Sequence, residues 1–385
     1  MKKVILITIG ITALFLGTCI TPSCGNILDE EYIKPISYDK TLYVGGSGEG
    51  NYTKIQDAVD NATNGDTVYV YRGIYYERVK INKTIIFLGE NRENTIIDAG
   101  GKSCPVNLEA NNIYVSGFTL RNSGENYEKH AGIGIRIDFI YVESDYNTIT
   151  GNRLINNING ISAIASDGNK ITDNIIINNT KFGIYLKAGC EYNTIENNDI
   201  KENEYQGIRI YDSDYNKILK NTIKNNFDAG ILLYDSEENE VYENIIMNGT
   251  FGIHLLDLTS RNEIYKNTIA FCNDAGIFIE YAGINVIRHN SFMNNKCHCR
   301  SLTNLLNLIM GNRFFRNYWD DHPYSKPKKI EGKVECFYML WDLIYFLEVQ
   351  CEADFNFWLL EKFFYARIFD WRYFDFFPAK EPYDI

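Results

Sequence analysis

Proline is scarce in this 385-residue chain (7), and so are histidine (5), methionine (5) and tryptophan (4). The histidines, His130, His254, His289, His298 and His322, are scattered and methionine is rare, whereas soft-ligand copper handling would favour Cys or Met clusters. Positive charge is in deficit: 38 Lys and Arg against 50 Asp and Glu give a net charge of −12, without the basic face of a general nucleic-acid binder. Long apolar runs are missing beyond the N-terminus. The most apolar later stretch, VECFYMLWDLIYFLEVQ, is interrupted by Glu335, Asp342 and Glu348. The composition is not that of a disordered chain, because 45% of the residues are apolar and can support a core.

The one apolar run, Val4 to Gly17, follows two lysines. At about 14 residues it is short for a membrane span and has the length of a signal-peptide h-region. Residues 1–24 are therefore read as a signal peptide or an N-terminal membrane anchor, and 25–40 as a linker. The protein is expected outside the cytoplasmic membrane, secreted or on the cell surface. Leu16-Gly17-Thr18-Cys19 loosely matches a lipidation site, with Thr in place of the usual small residue. Nine cysteines fit either compartment, and their spacing does not fix a pairing. Asn51, Asn61, Asn82, Asn178 and Asn248 stand in Asn-x-Thr sequons, compatible with a glycosylated surface protein.

What the chain has in abundance is repetition. Asparagines at 147, 169, 193, 216, 239, 262 and 285 are each followed five positions later by another, at 152, 174, 198, 221, 244, 267 and 290. A β-branched residue stands two after the first, at Ile149, Ile171, Ile195, Ile218, Val241, Ile264 and Ile287. Gly-Ile pairs close most units, with Gly160, Gly183, Gly207, Gly230, Gly252 and Gly276. Each unit holds short alternating runs separated by Asn, Gly and Asp turns, too short for an ordinary helix. One unit cannot bury its own apolar face, so copies must stack, with rungs about 4.8 Å apart. The sequence thus predicts a parallel β-helix with isoleucine columns inside, asparagine ladders at the bends and glycine supplying left-handed corners.

A solenoid needs ends. YTKIQDAVDNA has Thr53 and Gln56 in capping-box spacing, then Ile55, Ala58, Val59 and Ala62 on one face, predicting a short helix that plugs the N-terminal end. Residues 41–110 are read as this cap and the first rungs, 111–320 as the repeats, and 321–385 as an aromatic-rich C-terminal cap. All four tryptophans, Trp319, Trp341, Trp358 and Trp371, follow Asn317.

Residues 41 to about 320 resemble the right-handed β-helix proteins of the pectin-lyase-like superfamily, and within it the NosD-type group common in archaeal and bacterial surface proteins. The resemblance rests on YTKIQDAVDNATNGDTVYVYRGIYYERVKINKTIIFLGENRENTIIDAG, on the N-x-I-x-x-N-x-I repeat with its Gly-Ile, and on NYWDD. It implies a right-handed helix. For activity it is unspecific, because the superfamily includes lyases, hydrolases, esterases, carbohydrate binders and structural modules.

Counting from each Gly-Ile, alternation turns the second and fourth residues outward. The face so formed includes Arg136, Asp138, Tyr185, Lys187, Arg209, Tyr211, Tyr234 and His254, residues suited to a sugar polymer: rings stack on sugars and cations hold carboxylates. The structural alternative is an ordinary solvated face. Asp138 and Glu280 are six rungs apart, about 29 Å, and cannot act as a hydrolase pair. No residue is assigned as catalytic. A non-catalytic binder of carbohydrate or envelope polymer is the leading expectation. Its alternatives are a polysaccharide lyase or hydrolase using the same face, and a NosD-like copper accessory protein. Cys297, His298 and Cys299 in KCHCR could hold a soft metal or enter a disulfide. Asp145, Asp167, Glu191, Asp214 and Glu237 form a column that could share Ca²⁺ or simply face solvent. No other cofactor is expected.

Overall fold

The computed structural model describes residues 40–135, 144–303, 311–321, 328–334, 369–375 and 381–382. The N-terminal segment and nearly all of the linker lie outside the described residues, as do Arg136, Asp138 and most of the aromatic tail.

The described chain winds into a parallel β-solenoid of about eleven turns. Each turn visits three sheets in order. The first runs from Thr41–Val44 to Arg313–Phe315, the second from Gly73–Tyr75 to Tyr318–Trp319, and the third from Val79–Ile81 to Lys328–Val334. Strands pair in register with their equivalents one turn on. In the first sheet Ile171, Ile195, Ile218, Val241, Ile264 and Ile287 follow one another in this way. In the second sheet the series Leu154, Ile176, Ile200, Ile223, Ile246, Ile269 and Phe292 ends on Trp319, which stacks on Phe292 at 4.4 Å. These side chains fill the interior and are essentially closed to solvent. Burying each one contributes about 1.5–3 kcal/mol relative to exposure.

The asparagine columns are ladders, as the period predicts. Asn221 Oδ1 accepts the backbone N–H of Asn198 at 2.9 Å and its Nδ2–H at 3.0 Å, while Asn221 Nδ2 donates to the Ile195 carbonyl at 2.8 Å. A corner leaves backbone donors without a strand partner, and the ladder satisfies them inside the wall. A third ladder joins Asn157, Asn179, Asn203 and Asn226. A hydroxyl column, Ser213 and Ser236 among its members, runs beside the first, and Cys190 occupies one of its positions.

The glycines act differently from expectation. Left-handed backbone at the corners belongs to Asn156, Asn178, Glu202, Asn225 and their equivalents, not to the Gly-Ile glycines. Glycine is needed there for closeness: a Cβ on Gly207 would lie 2.7 Å from the Gly230 carbonyl oxygen and 2.7 Å from Ile223 Cγ2.

Helix α1 (Ile55–Asn61) covers the N-terminal end and buries Ile55, Ala58 and Val59. The capping box does not form. Gln56 exchanges hydrogen bonds with the Lys80 backbone instead, and no side chain of the N-cap residue Lys54 bonds the helix. Glu77 from the first coil accepts the N–H groups of Ile55 and Gln56 at 2.9 and 3.0 Å. At the other end Lys83 Nζ donates to the carbonyls of Val59, Asp60 and Ala62. Each charge faces the helix pole that stabilises it. At the C-terminal end Phe369–Asp375 pairs antiparallel with Lys328–Val334, so the third sheet ends on a reversed strand.

Replacing Asn221 by Ala strands the buried backbone N–H of Asn198 and removes the amide donor to the Ile195 carbonyl, and the stability loss is expected at about 3 kcal/mol. Asn61→Ala, on the exposed side of α1, is expected to be neutral. Urea midpoints of the two variants check this, and equal midpoints would remove the ladder from its structural role.

Candidate functional site

The outward column of the third sheet changes from turn to turn. In register it reads Lys80, Asn107, Gly134, Ser162, Tyr185, Arg209, Leu232, His254, Phe278 and Arg300. Up to Phe278 its inward neighbours are aliphatic, and beside Arg300 they are Cys299 and Ser301.

At its centre stands a cluster of cations and rings. The Arg209 guanidinium lies 5.2 Å from the Phe182 ring, 5.5 Å from Tyr185 and 6.0 Å from Tyr234. Lys181 sits 3.8 Å over Tyr205, and Lys187 is 5.2 Å from Tyr185. The loop of residues 122–131 folds against this cluster: Tyr127 meets Phe182 edge-on at 6.4 Å, and Glu128 pairs with Lys187. Tyr185 is consequently only 4% exposed although it points outward. Its hydroxyl is harder to ionise than usual, first because of burial. Burial, then the charge of Arg209, lowers the Lys187 pKa.

The column also carries orphaned polar atoms. Among the described residues, Asn107 Oδ1, Ser162 Oγ and Arg209 Nε are closed to bulk solvent and have no hydrogen-bond partner. Arg209 makes no ion pair among the described residues. Such atoms are costly unless a water or ligand meets them.

The sequence-expected residues divide. Tyr185, Lys187, Arg209 and Tyr234 come together, with Tyr211 stacked on Tyr234 at 4.9 Å. His254 does not join them: beyond Leu232 it hydrogen-bonds Glu280 at 3.0 Å and stacks on Phe278. Lys181, Phe182, Tyr205, Tyr127 and Glu128 escape the outward count. The first three sit just before their Gly-Ile pairs, a column that offset counting could have reached.

Cys297, His298 and Cys299 do not converge. Cys299 pairs with Ile277 in the inward series and lies in the core. His298 turns away to Asp320 and Asp321 of NYWDD, with Nε2 at 2.7 and 3.4 Å from their carboxylates. These three form the one three-donor group among the described residues. The tautomer argues against a metal there. Asn295 Oδ1 accepts from Cys272 N–H and Asn295 Nδ2 donates to the Ile269 carbonyl, so its NH₂ faces His298 Nδ1 at 3.3 Å. Nδ1 is therefore an acceptor, and Nε2 carries a proton toward Asp320 where a metal would need a lone pair.

The acidic column forms a ladder of its own. Asp145, Asp167 and Asp214 each accept the backbone N–H of the next acid, at 2.7, 2.8 and 2.7 Å. No three of these carboxylates gather within reach of one ion among the described residues. Stacked acids instead resist ionisation: burial, then Asp167 and Asp214, raises the Glu191 pKa. Burial, then Glu237, Asp212 and Asp235, raises that of Asp214. A carboxyl with a raised folded pKa stabilises most when protonated, and this contribution is lost as pH rises through the folded value. Asp214→Asn, which keeps the oxygen acceptor, is expected to raise the thermal midpoint at pH 7 and to shrink the gain in midpoint on acidification. An unchanged pH profile would count against the coupling.

Comparison with known proteins gives these findings. Residues 59–253, just over half of the chain, match the family described as periplasmic copper-binding protein (NosD), and residues 189–320 match the right-handed beta helix region. Probable pectinesterase 67 of Arabidopsis thaliana is 33% identical over 100 residues, 23% of this chain and 29% of that enzyme. The chain therefore spans less than a third of that relative. Among solved structures, the periplasmic alginate epimerase AlgG has a TM-score of 0.51 at 16% identity, covering 69% of this chain and 76% of that one. The A-module of the Azotobacter vinelandii mannuronan C-5 epimerase AlgE6 has a TM-score of 0.51 at 13% identity, covering 73% and 89%. At these identities the likeness is one of fold.

Proposed function

We propose that this chain, which belongs to the NosD family of right-handed β-helix proteins, is an extracytoplasmic, secreted or surface-exposed binder of acidic carbohydrate. The observation that carries the reading is Arg209: a guanidinium framed by three aromatic rings, with an orphaned Nε and no carboxylate partner among the described residues. In a protein of net charge −12 this is a local exception. A sugar ring presents apolar C–H faces to aromatic rings, and a uronate carboxylate supplies the counter-ion. The family's periplasmic description accords with the location.

A lyase reading draws on the lowered Lys187 pKa beside Arg209. A neutral Lys187 could take the proton α to a carboxylate whose charge Arg209 offsets, expelling the oxygen substituent on the neighbouring carbon as a double bond forms. Glu128 opposes this, because its ion pair stabilises the ammonium form. Binding is therefore the better-supported role.

The family description also names copper. The described donors do not fit a soft-metal site. Cys299 is in the core, burial pushes the Cys190 and Cys272 thiols up to about 12, and the protonated face of His298 meets carboxylates. No step is assigned to the metal.

Calorimetric titration with acidic oligosaccharides tests the reading, alongside an assay for unsaturated uronate. Wild type is expected to bind without turnover, more weakly as salt rises. Arg209→Ala is expected to lose about 10- to 100-fold in affinity, the worth of a charged hydrogen bond, whereas Lys224→Ala on the second sheet leaves it unchanged. Equal affinities for Arg209→Ala and wild type would exclude this face.

A further inference from the structure

Lys187 and Arg209 flank one ring, 5.2 and 5.5 Å from the centre of Tyr185, and the charge of Arg209 weighs against that of Lys187. Two cations this close, in a partly desolvated cluster, call for counter-charge. The fold supplies half of it. Glu128 pairs with Lys187, whose side chain is 12% exposed, while Arg209 takes no carboxylate among the described residues.

The backbone around Glu128 is pinned. Asn159, wholly buried, donates to the carbonyls of Tyr127 at 2.8 Å and His130 at 3.0 Å, and Asn126 Oδ1 accepts the Glu128 N–H at 3.1 Å. The Glu128 side chain is not: it is 47% exposed. Rotation about its own bonds takes the carboxylate off Lys187 into solvent and leaves the loop in place. Bare, the nearly buried ammonium would be costly, so the carboxylate leaves only when another takes its position.

We propose that Glu128 holds the place of a ligand carboxylate: an acidic sugar chain puts one carboxylate on Lys187 as Glu128 swings out, and a further carboxylate reaches Arg209. The proposal rests on the carbohydrate-binding reading and names the residue that sets its specificity. A neutral glycan cannot make the exchange, because it brings Lys187 no counter-ion. Tyr185 stays covered by the loop, and the chain meets both cations from outside the cluster.

Titration of the full-length protein with an oligogalacturonate, and with the same oligomer after reduction of its carboxyl groups, tests the exchange. Glu128→Gln keeps the shape and removes the competing charge. It is expected to bind oligogalacturonate about fivefold more tightly than wild type, the effect of losing one half-exposed ion pair. Its thermal midpoint is expected to be lower when free and to rise further with ligand than that of wild type, because the ligand restores the counter-ion. Glu128→Asp is expected to fall between the two and serves in its place should Glu128→Gln not fold. Glu128→Gln/Lys187→Met is expected to lose the gain. Equal or weaker binding by Glu128→Gln, with Arg209→Ala still weakening it, would make Glu128 a structural clasp and overturn the exchange, leaving the carbohydrate reading standing. Failure of oligogalacturonate to bind either protein, or equal binding of the reduced oligomer by wild type, would overturn both.

Discussion

The structure depends on one constraint: backbone donors at the corners of each turn are buried in the wall and must be met there. Asparagine meets them because its side chain both accepts and donates along the axis. Asn221 takes two hydrogens from Asn198 and gives one to the Ile195 carbonyl. The arrangement works only if the next turn presents the same residue at the same height, which fixes the register. Register then fixes the faces, because a slip of one residue would turn every isoleucine outward. The orientation of Arg209 and Lys187 is thus set by asparagines that never touch them.

Stacking like on like has consequences beyond the core. Aromatic columns gain from it, as in Tyr192 on Tyr215 at 5.1 Å and Tyr242 on Tyr265 at 4.8 Å. Acidic columns lose, because carboxylates one rung apart oppose each other's ionisation, which accounts for part of the raised values along Glu191, Asp214 and Asp235. Outward positions follow the rule only in part: Asn107, Gly134, Ser162, Tyr185 and Arg209 succeed one another on the third sheet, and Thr119, Arg153, Ile175, Asp199 and Thr222 on the second, with no two neighbours alike.

The fold was legible because its constraint repeats: period, ladders and interior columns can be read from the spacing of Asn, Ile and Gly-Ile, and the N-terminal helix from the shared face of Ile55, Ala58 and Val59. Where a single position had to be interpreted, sequence reasoning went astray. A glycine at a bend suggests positive φ, yet Gly207 is there because the Gly230 carbonyl oxygen and the Ile223 side chain leave no room for a Cβ. Thr53 and Gln56 suggest a capping box, yet the acid that caps α1 is Glu77, placed beneath it by the first coil. For the site, alternation identified Tyr185, Lys187 and Arg209 as neighbours. It could not supply Glu128, which meets Lys187 across 59 residues of sequence, or the departure of His298 toward Asp320. Those contacts depend on how loops fold over the column, which no period records.

Charge then decides where an acidic chain can lie. The corner bordering the third sheet carries Asp212, Asp235 and Asp257; burial, then Asp212 and Asp257, raises the Asp235 pKa, and burial, then Glu280, raises that of Asp257. Within a Debye length of about 8 Å such a ridge repels a polyanion. The Arg209 cluster lies beside it, with Tyr211 and Tyr234 between cation and ridge. On the proposed reading, an anionic polymer would be repelled from that flank and drawn to the Arg209 cluster. Further toward the C-terminus the column turns apolar at Leu232 and is then occupied by the His254–Glu280 and Arg300–Asp274 pairs, which offer no free cation to a carboxylate. The Arg209 cluster is thus the part of the column that offers a cation, and its side chains are ones that the ladders hold in line.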